Sequence, residues 1–225
     1  MKNTEENNIN FLSRDQKETL KFYTTNDYLL INALLWEEDD STIDELIKII
    51  NDDGRGVLQE AIEMGFDVRW NCSKERGEEI YEIYTKRFPI INDETIKNKI
   101  IERARLDIDN MFNSLTISSE HLTLYRNIKT RFIKKYKEGE VINYKGFSSC
   151  SLNPHIPENS TYGSSNCTLF EIDVPIGTKM IRIDLMEDIR NEDDEIILPP
   201  MKFKISKIDR EGNKIYMSCF NGLEI

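Results

Sequence analysis

Three groups of side chains in the C-terminal half of the sequence could do chemistry together. Arg126 closes an alternating stretch, Leu122-Thr-Leu-Tyr-Arg126. Gly146-Phe147-Ser148-Ser149-Cys150-Ser151-Leu152 sets small hydroxyl residues behind an aromatic. Glu192-Asp193-Asp194-Glu195 runs directly into Ile196-Ile197-Leu198-Pro199, so that Glu195 opens an apolar strand. Each group alone has an ordinary explanation: a strand-end arginine is a surface charge, a serine-rich stretch a turn, an acidic run a solvated loop. Glu195 resists that explanation. A carboxylate at the head of an apolar strand is partly desolvated and needs a partner. A serine hydroxyl and an arginine are both suitable.

Other candidates fall away. The cysteines stand at 72, 150, 167 and 219, and the histidines are His121 and His155. None has a neighbour at metal-ligand spacing, which argues against a structural zinc site. The cysteines read as reduced thiols, not as a disulfide framework. Gly54-Arg55-Gly56 imitates the start of a dinucleotide-binding fingerprint, but the third glycine would fall on Gln59. The segment before it has helical and not strand character, so that reading fails on context.

The elements that must position these groups change character near residue 115. Residues 15–36 read as two helices separated at Thr24-Thr25-Asn26. Thr42 with Glu45 suggests a capping box opening a helix over Ile43–Ile50. Leu58, Ala61 and Ile62 suit a short helix ending near Gly65. Ile96, Ile100, Ala104, Ile108, Met111 and Phe112 recur at helical spacing and predict a helix over 94–113. Beyond 120 the period shortens. Strands are expected at Leu122–Arg126, Cys167–Val174, Met180–Ile183, Glu195–Leu198, Phe203–Ile208 and Ile215–Phe220, with a short helix over 128–138. Helices first and strands afterwards indicate an α+β fold and not alternating βαβ units.

Composition sets the outer bounds. With 225 residues, the chain is of single-domain size. Its net charge of −11 argues against a nucleic-acid binder that relies on a general phosphate field. No run of 18 apolar residues is present, so no membrane span is expected. The polar, acidic start lacks the apolar core of a secretory signal, and a cytoplasmic location, in the producing or in a target cell, is the corresponding expectation.

Taken in order, the motifs resemble the Arg–Ser–Glu class of ADP-ribosyltransferases, the exoenzyme and toxin family. Residues 22–32, with Tyr23, Tyr28 and Asn32, look like the family's tyrosine-rich helix lining the NAD pocket. Leu124-Tyr125-Arg126 resembles the arginine strand, with Asn127 where the family often has glycine. Phe147-Ser148-Ser149-Cys150-Ser151 resembles the aromatic-x-Ser-Thr-Ser motif, with Cys150 at the threonine position. Phe170–Lys179 resembles the strand and turn that follow. Asp193-Asp194-Glu195 resembles the Glu-x-Glu motif, its first acid one methylene shorter; Glu at that place goes with arginine acceptors in the family. Trp36 stands where a basic residue often follows the helix motif, and residues 51–92 lie outside the resemblance.

The resemblance implies a single domain over 1–225, with a helical lobe over about 14–115 and a two-sheet, mixed β core over about 120–225 that binds NAD. It implies a mono-ADP-ribosyltransferase using NAD as co-substrate, without a metal, and a protein or other macromolecule as acceptor. Glu195 would stabilise the ribosyl cation, Ser149 would hold Glu195, and Arg126 would clamp the diphosphate. Phe147 would pack near the nicotinamide or brace the site. Tyr23, Tyr28, Asn32 and Asn127 would line the pocket, Asn153–Asn166 would form a flap, and Asp193, in the loop Glu187–Asp194, would serve the acceptor. An NAD glycohydrolase with water as acceptor, or a non-catalytic binding module of the same fold, are the alternatives.

Overall fold

A computed structural model describes residues 12–23, 28–44, 46–47, 94–129, 136–155, 167–186 and 195–220, the side chains of 22, 28, 94–96 and 129 excepted. The expected helix near Leu58, the remainder of 51–92, most of the Asn153–Asn166 segment and the loop Glu187–Asp194 lie outside these residues. The chain divides into two compact units, Phe22–Asn110 on one side and Met1–Lys21 with Met111–Ile225 on the other.

Helix α1 (Arg14–Phe22) opens on a capping box. Ser13 Oγ accepts from the Gln16 amide at 3.2 Å, and the Ser13 amide donates to Gln16 Oε1 at 2.8 Å. Helix α2 (Tyr28–Trp36) is apolar except for Asn32 and buries Leu30, Ile31 and Ala33. The next helical residues are 40–44, and their cap is Asp39, not Thr42 as the sequence suggested. Asp39 Oδ1 accepts from the Thr42 amide at 2.9 Å and from Ser41 Oγ at 2.7 Å. A carboxylate at the positive end of the helix outcompetes the later threonine for that role. Helix α3 (Glu94–Asn113) has the bounds its periodicity predicts. Ile100, Ala104 and Met111 form its buried stripe. Asp107 lies in the same stripe, with Arg103 Nε at 3.4 Å.

Among the described residues nine strands follow: β1 (Thr116–Ile117), β2 (Leu122–Lys129), β3 (Val141–Tyr144), β4 (Ser148–Ser151), β5 (Cys167–Val174), β6 (Lys179–Arg182), β7 (Glu195–Leu198), β8 (Met201–Asp209) and β9 (Lys214–Phe220). Ile128 and Lys129 belong to β2, so the helix expected from 128 does not begin there. Ile183 leaves β6 for a short 3-10 turn, Ile183–Leu185. The strand order is β1-β6-β7-β4-β2-β5-β9-β8-β3. Only β5 and β9 run parallel among the described pairs.

Two sheets were expected, yet the strands form one hydrogen-bonded order. The reason lies at its middle. β2 pairs with β5 over eight residues but with β4 at one position only, Tyr125 opposite Ser151. That single pair joins the halves β1-β6-β7-β4 and β2-β5-β9-β8-β3.

The largest core cluster gathers Leu124, Phe170, Ile172, Ile196, Leu198, Ile205 and Met217 on one face of these strands, and Ile181 and Ile197 are buried on the other. The turn from β5 to β6, Pro175-Ile176-Gly177-Thr178, is closed by the Thr178 amide on the Pro175 carbonyl at 3.2 Å. Its third residue has φ of +88°, which Gly177 adopts without the steric penalty of a side chain.

Candidate active site

The serine-rich stretch is a strand and not a turn. It has too few apolar residues to announce itself, and tertiary pairing makes it β4: Ser149 lies opposite Ile197 and Ser151 opposite Glu195. Side chains two apart on a strand share a face, and so do residues paired across strands. Ser149, Ser151 and Glu195 therefore stand on one face. Ser149 Oγ donates a hydrogen bond to Glu195 Oε1. Ser149 is exposed and Glu195 half-buried, so the pair is held by the sheet and open to a ligand.

Phe147 is fully buried, its ring 5.1 Å from that of Phe112 at a tilt of 53°. This packing anchors the entry to β4 one residue before its first strand position. Cys150 points to the opposite face from Ser149 and belongs to the core. Burial pushes its thiol up to about 12; the charge of Arg126 opposes that rise and the charge of Glu195 adds to it. Cys150 thus lies within electrostatic reach of both charged site residues.

Arg126 follows Tyr125, the residue at the single β2–β4 joint, and is half-buried. Its Nη2 donates to Tyr144 Oη at 3.2 Å, and its guanidinium carbon lies 5.3 Å from the centre of the Tyr144 ring. β2 and β3 are four places apart in the strand order, so this half of the sheet curls back over its own core to bring them together. Sequence reasoning missed Tyr144. Asn127 is half-buried beside Arg126 and pairs with Leu169 of β5.

Tyr23 is buried and Asn32 half-buried, both in the unit Phe22–Asn110; Tyr28 opens α2, with its side chain outside the described residues. Trp36 ends α2 at the surface. Asp193 lies outside the described residues. Among the described residues, no three His, Cys, Asp or Glu side chains converge as a metal site would require, and no helix is long and apolar enough to cross a membrane.

An arginine fork, a serine and a half-buried carboxylate on neighbouring strands suit an anionic, sugar-bearing substrate. The family model for ADP-ribosyltransferase exoenzymes matches residues 1–217. The chain belongs to this family. It is an NAD-dependent ADP-ribosyltransferase, a transferase for which NAD is the co-substrate. No curated protein sequence matches it. Among solved structures, it is similar to the Vis toxin, an ADP-ribosyltransferase from Vibrio splendidus, at 18% identity, with 94% of this chain and 75% of that one covered and a TM-score of 0.47. The Clostridium limosum C3 exoenzyme is similar at 15% identity, covering 97% and 91%, with a TM-score of 0.45. The S. aureus C3stau2 structure, which contains NAD, is similar at 14% identity, covering 56% and 71%, with a TM-score of 0.38. The family assignment rests on the family model.

Proposed function

We propose that this ADP-ribosyltransferase modifies a protein acceptor, and that Glu195, Ser149 and Arg126 carry the reaction. The observation that supports this most is the Ser149–Glu195 hydrogen bond, set by the β4–β7 register. Breaking the nicotinamide–ribose bond sends its electron pair to the nicotinamide nitrogen, which leaves neutral, and places positive charge on the ribose. Glu195 stabilises that charge, and Ser149 fixes the carboxylate before the charge develops. Arg126 binds the diphosphate as a fork. Tyr23, Tyr28, Asn32 and Asn127 contribute to NAD binding, and Phe147 acts as the brace behind β4. Asp193 serves the incoming nucleophile, which adds to the ribose carbon and loses its proton.

In this proposal the chain acts as one domain, the helices ahead of Thr116 forming its helical lobe and the two halves of the strand order forming the two sheets of its mixed β core. It works in a cytoplasm; the free thiols Cys150, Cys167 and Cys219 fit a reducing compartment.

Incubation with labelled NAD and cell extract, followed by mass-spectrometric mapping of ADP-ribose, tests the acceptor. Modified protein side chains are the expected result; free ADP-ribose as the sole product would show water to be the acceptor. Glu195→Gln keeps the shape and removes the charge, and transfer should fall about a hundredfold or more with NAD binding kept. Activity within a few-fold of wild type would remove Glu195 from the mechanism.

A further inference from the structure

Tyr144 meets Arg126 in two ways. Its phenol oxygen accepts a hydrogen bond from Nη2 at 3.2 Å, and its ring lies under the guanidinium carbon at 5.3 Å. The ring is itself held: Tyr144 is half-buried, packs against the core, and pairs through its backbone with Met201 of β8. A long arginine side chain samples many rotamers when solvated, and ordering it on ligand binding weakens affinity. A neutral phenol fixes the fork's direction without cancelling its charge, which a carboxylate in the same place would do.

We propose that Tyr144 is a positioning residue for NAD binding, holding the Arg126 guanidinium in the orientation that receives the diphosphate. It touches the arginine and not the reacting atoms, so its contribution belongs to NAD affinity and not to the bond-breaking step. This rests on the reading that Arg126 binds the diphosphate. It adds a requirement on β3, a strand outside every motif of the sequence.

The experiment compares wild type, Tyr144→Phe, Tyr144→Leu, Arg126→Lys and the double variant Arg126→Lys/Tyr144→Phe. NAD affinity is measured by calorimetry, KM and kcat by transfer, and folding by thermal midpoint. Tyr144→Phe keeps the ring and loses the hydrogen bond, so Kd and KM for NAD should rise about fivefold with kcat nearly unchanged. Tyr144→Leu loses the ring as well and should raise both by about tenfold or more. Tyr144→Phe should have no further effect on the Arg126→Lys background, since the two residues act through one another.

NAD affinity unchanged in Tyr144→Phe and Tyr144→Leu, with Arg126→Lys still weak, would overturn the positioning role and leave the diphosphate reading intact. Wild-type NAD affinity in Arg126→Lys would overturn both. A fall in kcat at constant KM would overturn the proposal too, because it places Tyr144 in the chemical step. Should Tyr144→Leu fail to fold, the phenylalanine variant and the double-variant cycle still decide the matter.

Discussion

Two arginines of the strand-rich unit show how one side chain is put to different uses. Arg182, at the end of β6, is buried. Its Nε and Nη2 donate to the two carboxylate oxygens of Asp184 at 2.8 and 2.6 Å, and its Nη1 donates to Glu120 at 3.2 Å. Arg126, at the joint between the two halves of the sheet, is half-buried and is met by the ring and hydroxyl of a tyrosine. Carboxylates neutralise Arg182 and tie β6 to the turn after β1. A phenol meets Arg126 through its hydroxyl and its ring, and brings no carboxylate charge of its own. The first arrangement suits a structural cross-brace, the second an anion-binding fork.

The largest expected effect separates the two on stability. Arg182→Met leaves the Asp184 carboxylate buried without its bidentate partner. Breaking a buried pair from one side costs about 3–5 kcal/mol. The denaturant midpoint should fall accordingly, while the molecules that remain folded keep their NAD affinity. A variant as stable as wild type would show that the Arg182 pair braces nothing.

Arg126→Lys should show the reverse pattern. The lysine keeps the charge and loses the fork, and charged hydrogen bonds are worth about 1.5–3 kcal/mol, so NAD affinity should fall about ten- to a hundredfold. Stability should move by less than about 1 kcal/mol. A large stability loss with NAD affinity kept would make Arg126 a second brace and dissolve the contrast.

How much of this the sequence disclosed follows from local pattern. β5 and β7 were delimited at Cys167–Val174 and Glu195–Leu198, because both are dense in apolar or alternating residues and begin or end at polar breaks. β1 has two residues, and β3 is a short edge strand, Val-Ile-Asn-Tyr, exposed at alternate positions; neither has enough periodicity to be read. β4 exists because β7 and β2 pair with it, information carried 46 residues away from Ser149 in Glu195. The carboxylate's need for a partner was legible; which serine would meet it depended on the resemblance to a family. The Arg126–Tyr144 contact was not legible at all. It arises from the curl of five strands, a property of the assembled sheet and not of any segment within it.

The smallest effect reports on the field around Arg126. Cys150 and Cys219 are buried, and burial pushes each thiol from an ordinary 9.0 up to about 12. Both thiols are protonated in the folded and unfolded states below about pH 8, so they contribute no pH dependence there. Above pH 9 the unfolded thiols release protons that the folded ones retain, which favours unfolding as pH rises toward 12. Between pH 8 and 9.5 the loss should be about 1 kcal/mol per thiol, measured by urea unfolding under reducing conditions. Cys150→Ala should remove about half of that alkaline loss, whatever its effect at pH 7. Arg126 is among the charges that Cys150 feels and opposes the rise. Replacing Arg126 by Met should therefore raise the Cys150 value further, and replacing Arg182 should leave it in place. A Cys150 titration that responds to Arg182 and not to Arg126 would show that Arg126 is not among the charges that reach Cys150.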